Sequence, residues 1–180
     1  FPSLMDLWTY YHKVLVPANG AVSQIRRAGM VLDKQRLDEL DQEWGAEVAV
    51  LKAQVEGEAA KHGMVIKYSD ADSIAPATLA KFLYSAQGLG LEAKGLTKTG
   101  KPSTDDEALA HYASIKVPRP DDHPTVRAIL KIRSLQGGRA KWLLPFRHAM
   151  RADGAIHAQY NWALRTSRLS AENPQVHNIP

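Results

Sequence analysis

Two stretches carry side chains suited to chemistry on a phosphate or a base. The first is the last fifteen residues, Thr166 to Pro180, reading T-S-R-L-S-A-E-N-P-Q-V-H-N-I-P. Arg168 can fork two N–H donors at a base edge or a phosphate. Ser170, Gln175, His177 and Asn178 add short polar groups, which can read a minor groove from a firm backbone. The second stretch is residues 88–104, G-L-G-L-E-A-K-G-L-T-K-T-G-K-P-S-T, rich in glycine, lysine and hydroxyls. Its spacing does not fit a phosphate-binding Walker loop. Flexible ammonium groups and hydroxyls of this kind bind phosphate without reading sequence, and the alternative is an ordinary solvated loop.

These groups need elements to hold them. Asn173-Pro174 is a turn signal and Ile179-Pro180 is extended, so the terminal segment reads as a strand running into an ordered loop. Asp153-Gly154 opens an extended run, Ala155 to Trp162, and Leu164 to Ser170 returns, which predicts a β-hairpin. Upstream, Ala21 to Ala28 reads as a helix ending at Gly29, and Pro17 and Asn19-Gly20 read as breakers before it. Asp33 is a good N-cap. Leu37, Leu40, Trp44, Val48, Leu51, Val55 and Ala59 follow at steps of three and four, and Gly63 supplies the stop. About 28 residues at 1.5 Å each predict a rod of roughly 40 Å. Pro76 suits a first helical residue, with Leu79, Phe82, Leu83 and Ala86 as the apolar face before Gly88. Thr104 to Glu107 reads as a capping box. His123-Pro124 opens a further helix with Val126, Ile129, Leu130 and Ile132 inside. The adjacent Gly137 and Gly138 cost a helix about 2 kcal/mol relative to alanines, which predicts a kink or break. His123, His148 and His157 read as cap, packing or surface residues rather than metal ligands.

The chain has 180 residues, 44% of them hydrophobic, and no cysteine. That suffices for a real core and excludes a disulfide frame or a thiolate metal site. No apolar run approaches the roughly 20 residues that span a bilayer. The net charge of +4 hides a polarity. Residues 33–58 hold eight acids and three bases, whereas residues 131–168 hold eight bases and one acid. The basic half suggests an anionic partner, or simply a basic face.

The terminal stretch resembles the T-G-R-L-S-S-x-x-P-N-L-Q-N-I-P signature of family A DNA polymerases. Four more stretches resemble the same family. Gly29 to Asp33 matches its G-x-x-V/L-D lead into a long thumb helix. Residues 98–104 match its thumb-tip K-T-G-K-x-S-T. His123-Pro124 and Arg133-x-Leu135 match an H-P pair and an R-x-L helix. The resemblance implies a mainly α fold with a small β-hairpin (α+β), the helical thumb plus first palm strands of a right-hand polymerase. It implies three segments: 1–28 as a linker and palm-associated helix, 29–150 as the thumb, 151–180 as the start of the palm. It also implies DNA contacts from Lys98, Thr99, Lys101, Ser103, Thr104, Arg133, Arg168, Gln175, His177 and Asn178. Arg168 and Asn178 would touch the minor groove near the primer end, and the residue 98–104 group would hold the duplex backbone.

The chain departs from the family's pattern at Gly137-Gly138, at Lys141-Trp142, at Ser167 where the signature has Gly, and at Gln175 and His177. The family's metal-binding D-Y-S-x-I-E-L-R and its nucleotide-binding helix are absent from these residues. The expectation is therefore a duplex-binding part of a DNA-directed DNA polymerase, intracellular, with no catalytic residue or cofactor of its own. Its partners would be primer–template DNA and a further polymerase segment carrying fingers, catalytic palm and Mg2+. The competing readings are a non-catalytic helical DNA-binding accessory protein on a polymerase scaffold, or an interaction module using the acidic long helix.

Overall fold

In a computed structural model the protein is described over residues 6–69, 73–161 and 169–176. The order of elements is α1 (Leu7–Tyr10), a π-helical segment (Tyr11–Leu15), α2 (Val16–Ala28), β1 (Met30–Val31), α3 (Lys34–Lys61) and α4 (Pro76–Tyr84). Then follow α5 (Asp106–Leu109), α6 (Pro124–Gly138), a second π-helical segment (Arg139–Leu143), α7 (Leu144–Ala149), β2 (Ala155–Ile156), β3 (Gln159–Asn161) and β4 (Ser170–Glu172). The mainly helical α+β expectation holds. Two compact units divide the chain: residues 1–39 with 140–180, and residues 40–139.

The 40–139 unit has one apolar core. α3 is 28 residues long, as its periodicity predicts. The Asp33 carboxylate accepts from the Arg36 N–H at 2.9 Å, so it caps the helix as read. At the other end the Met64 N–H reaches the Ala59 carbonyl and the Gly63 N–H reaches that of Ala60, with Gly63 at φ 66°. That bond pair closes the last turn, and glycine tolerates the left-handed backbone it needs. The α3 stripe buries Val48, Val55 and Ala59 against Leu79, Phe82 and Leu83 of α4 and Val126, Ile129 and Ile132 of α6. α4 ends at Tyr84, so Ala86 lies beyond it and is exposed.

Of the kink or break expected at Gly137 and Gly138, no break occurs: helical backbone continues through them, and the winding changes to the second π-helical segment directly after Gly138. Packing favours glycine at Gly138, where a Cβ would stand 2.8 Å from the Trp44 ring of α3. The missing side chain lets indole and helix backbone meet. Around Gly137 nothing lies within 4 Å of such a Cβ. The two glycines should therefore respond oppositely in urea unfolding. Gly137→Ala is expected to stabilise by about 1 kcal/mol through helix propensity. Gly138→Ala is expected to destabilise by about 1 kcal/mol, overpacking outweighing the same propensity gain. Equal shifts of the unfolding midpoint would refute the packing account.

In the other unit, Pro17 and Asn19-Gly20 lie inside helix rather than breaking it. Pro17 follows directly on the π-helical segment Tyr11–Leu15, with Leu15 and Val16 both in helical backbone, so the change from π to α winding falls where proline cannot donate an N–H. α2 ends at Gly29, at φ 68°. The chain then turns into β1, which pairs antiparallel with β2, Met30 opposite Ile156 and Val31 opposite Ala155. β3 pairs antiparallel with β4, Tyr160 opposite Ala171. The return strand thus runs to Glu172, two residues past the expected Ser170. Part of the expected hairpin, 162–168, lies outside the described residues.

His157 joins these pieces. Its Nδ1 lies 2.7 Å from the Arg26 carbonyl and its Nε2 lies 3.0 Å from an Asp153 carboxylate oxygen. A carboxylate neighbour does therefore exist, but both ring nitrogens are taken up by these acceptors. The Arg26 carbonyl, then Asp153, hold the imidazole above its ordinary pKa. The Ala155 N–H, then His157, hold Asp153 below the carboxylate range. A raised histidine contributes stability fully below its unfolded pKa of about 6.5 and loses it as pH rises through the folded value. The lowered Asp153 loses its share as pH falls through its own depressed value. Melting temperature is expected to fall more for wild type than for His157→Gln as pH is raised from 6. Parallel melting curves would show that the histidine is not charged in the fold.

Candidate nucleic-acid interface

The lysine-rich loop folds as a small hairpin on the 40–139 unit. Leu96 bridges Pro102 in antiparallel fashion. The Thr97 N–H donates to the Lys101 carbonyl at 2.7 Å, and the Gly100 N–H donates to the Thr97 carbonyl at 2.9 Å. Gly100 takes φ 75°. This is a three-residue hairpin loop closed by a left-handed glycine. Thr97 Oγ1 also accepts from the Lys101 N–H at 3.1 Å and lies 3.0 Å from Thr99 Oγ1. Lys98, Thr99 and Lys101 are exposed at this tip. Neither ammonium has an ion-pair partner among the described residues, so two positive charges stand out on a backbone held by four hydrogen-bond contacts.

Ser103 and Thr104 are buried at the foot of the hairpin, at 5% and 9% exposure. The Ser103 hydroxyl donates to Asp105 at 2.6 Å and accepts from the Asp105 N–H at 3.2 Å. The Ser103 N–H donates to the Gly95 carbonyl, and its own carbonyl accepts from the Tyr84 hydroxyl at 2.5 Å. Asp105, not Thr104, caps α5, accepting from the Ala108 N–H at 2.8 Å. The Ser103 hydroxyl, then the Ala108 N–H, hold Asp105 below its usual pKa. Arg133 of α6 donates to the Thr104 carbonyl at 2.5 Å and pairs with Asp106 at 2.9 Å. One connected set thus anchors the hairpin from α4, α5 and α6. Sequence reading missed Tyr84 and Asp105 in this set. Tyr84 lies 19 residues from Ser103 and carries no local signal.

The remaining sites fall in the other unit. Ser170 opens β4 and its hydroxyl donates to the Asn161 carbonyl at 3.1 Å. Gln175 is exposed and lines a cavity of about 600 Å3 with Lys141, His148 and Glu172. Arg168, His177 and Asn178 lie outside the described residues.

The charge polarity is partly spent inside the molecule. Lys131 pairs with Glu47, Arg133 with Asp106, Arg139 with Asp41 and Arg147 with Asp38. Four of the eight bases in 131–168 therefore face acids, three of these acids on α3. Lys98 and Lys101 keep their charge toward solvent. Among the described residues no group of three or more histidine, aspartate or glutamate side chains could hold a metal ion. None of the described helices is long and apolar enough to cross a membrane.

Residues 34–180 match the sequence model of DNA polymerase family A. The chain belongs to that family. It is 30% identical over 180 residues to DNA polymerase I of Pseudomonas aeruginosa, covering 99% of this chain and 18% of the relative. It is also 30% identical over 177 residues to the thermostable DNA polymerase I of Thermus aquaticus, covering 97% of this chain and 19% of the relative. The chain thus spans about a fifth of the length of these curated relatives. Its fold is shared with the POL domain of Pol1 from M. smegmatis, solved in complex with DNA primer-template and dNTP. That likeness has a TM-score of 0.70 at 22% identity and covers 92% of this chain and 26% of the other. The family A segment therefore includes both units, since the match begins at Lys34 and runs to Pro180.

Proposed function

We propose that these residues form the duplex-gripping part of a DNA-directed DNA polymerase acting in the cytoplasm. The observation that carries this reading is the anchored hairpin with Lys98, Thr99 and Lys101 exposed at its tip. In a polymerase of this family such a tip meets successive phosphates of primer–template DNA, where charge and hydroxyls bind any sequence. Ser103, Thr104 and Arg133 serve by holding the tip rather than by touching DNA: the Ser103 hydroxyl and the Arg133 guanidinium already have internal partners, and Thr104 is buried with its carbonyl held by Arg133. Arg168, Gln175, His177 and Asn178 are the proposed minor-groove set. Minor-groove acceptors are nearly the same for A·T and T·A, so such contacts sense pairing geometry.

On this reading the thumb is 29–150, and 151–180 begins the palm. Nucleotidyl transfer with two metal ions needs clustered acids. Those acids, with Mg2+, belong to a polymerase segment outside these 180 residues. The test is anisotropy of a labelled primer–template duplex between about 50 and 200 mM salt. Affinity is expected to fall along a straight log–log line. Salt-independent binding, or none, would sink the reading.

A further inference from the structure

A second basic site lies in the unit made of residues 1–39 and 140–180. A cavity of about 510 Å3 is lined by Ser23, Arg26, Arg27, Arg151, His157 and Gln159. That volume is within the range of small-ligand sites. β-pairing builds it. Arg26 and Arg27 close the last turn of α2, and β1 then pairs with β2. Arg151 begins the turn before β2, where its N–H donates to the Ala155 carbonyl at 2.9 Å. The His157 ring packs against Gly29, where a Cβ would meet it at 2.7 Å. The wall is therefore fixed by backbone and by a ring with both nitrogens bonded.

Among the described residues the lining is one-sided: three guanidiniums and no carboxylate. Asp153 is the acid closest to it in the turn, and it is engaged with His157. None of the three arginines has an ion-pair partner among the described residues, whereas Arg133, Arg139 and Arg147 all do. A helix C-terminus attracts cations, and that accounts for Arg26 and Arg27. It does not account for Arg151, which arrives from a different part of the chain onto the same cavity. Three like charges around one concave space repel one another unless an anion sits among them. Guanidinium forks match phosphate oxygens bidentately, and the Ser23 hydroxyl and Gln159 amide add neutral donors.

We propose that this cavity is a second anion site, which takes a ligand bearing a di- or polyphosphate, or the successive phosphates of a nucleic-acid strand. The proposal does not rest on the duplex-gripping role, because the lysine hairpin belongs to the other unit. The test uses the full-length protein that contains this chain, in a buffer free of phosphate. Calorimetric titrations use inorganic pyrophosphate and, separately, a short single-stranded oligodeoxynucleotide. Three proteins are compared: wild type, Arg27→Gln/Arg151→Gln, and Lys13→Gln/Lys116→Gln, which loses the same charge elsewhere. The Arg27→Gln/Arg151→Gln protein is expected to bind at least about tenfold more weakly, and the lysine control to bind as wild type does. Loss confined to pyrophosphate makes a free polyphosphate the ligand; loss confined to the oligonucleotide makes it a strand. The proposal fails if neither probe binds, if the arginine variant binds like wild type, or if the lysine control loses as much. Circular dichroism and a melting curve for each variant confirm that folded proteins are compared.

Discussion

Lys98→Ala/Lys101→Ala is expected to bind a primer–template duplex roughly 60-fold more weakly than wild type at about 0.1 M salt. The figure follows from counterion release. Each phosphate neutralised contributes roughly 0.9 to the log–log salt slope, so two lysines contribute roughly 1.8. With binding near 1 M salt unchanged, a tenfold drop in salt converts that slope into the stated ratio. The loss should be the same for duplexes of any sequence, because neither ammonium reads a base edge. Arg133→Ala makes the informative contrast. Its guanidinium holds the Thr104 carbonyl and Asp106 rather than solvent. Removing it should loosen the hairpin and lower stability while leaving the salt slope close to wild type. An unchanged slope in the lysine variant would remove the phosphate role. A full slope loss in Arg133→Ala would place that residue on the DNA instead.

Gly88→Ala is expected to cost about 3 kcal/mol or more, the upper end of what overpacking does. A Cβ at this buried position would lie 2.0 Å from the Phe82 carbonyl oxygen. That oxygen accepts the Leu89 N–H at 2.8 Å, and the Leu91 N–H reaches the Leu83 carbonyl at 2.9 Å. The chain thus folds back along the end of α4, whose Phe82 and Leu83 are fully buried. Backbone meets backbone here, and neither side can swing away as a side chain would. α4 also carries Tyr84, whose hydroxyl holds the Ser103 carbonyl under the lysine hairpin. The substitution should therefore lower duplex affinity as well as the urea midpoint, measured where the variant remains folded. A loss below about 1 kcal/mol would mean that the turn re-forms around the methyl group.

Local rules carried much of the description. Asp33 caps, the α3 stripe repeats at 3.6 residues and Gly63 stops the helix because each signal acts within a turn or two of its own position. Pro76 opens α4 for the same reason. The lysine tip was legible from residue type, since exposed ammonium groups beside glycine need no distant partner. The family was legible too, because a long motif survives as a string of residues.

What the string alone could not decide were the pairings between distant residues. Met30 and Val31 become a strand only because Ala155 and Ile156 arrive beside them. Ser103 turns inward because its hydroxyl is held by Asp105 and its carbonyl by Tyr84, and Thr104 is buried beside it with its carbonyl held by Arg133, although by type both matched the lysines as phosphate ligands. Gly138 has no side chain where the Trp44 ring of α3 fills the space one would take. Acidic and basic segments that read as opposite in charge along the chain partly neutralise each other, α3 against α6 and the second π-helical segment. Sequence determined the elements and the chemical types available, through forces acting within a few residues. Tertiary structure decided which polar groups were consumed by partners and which were left for a ligand, because desolvation and hydrogen bonding depend on neighbours that chain order does not specify.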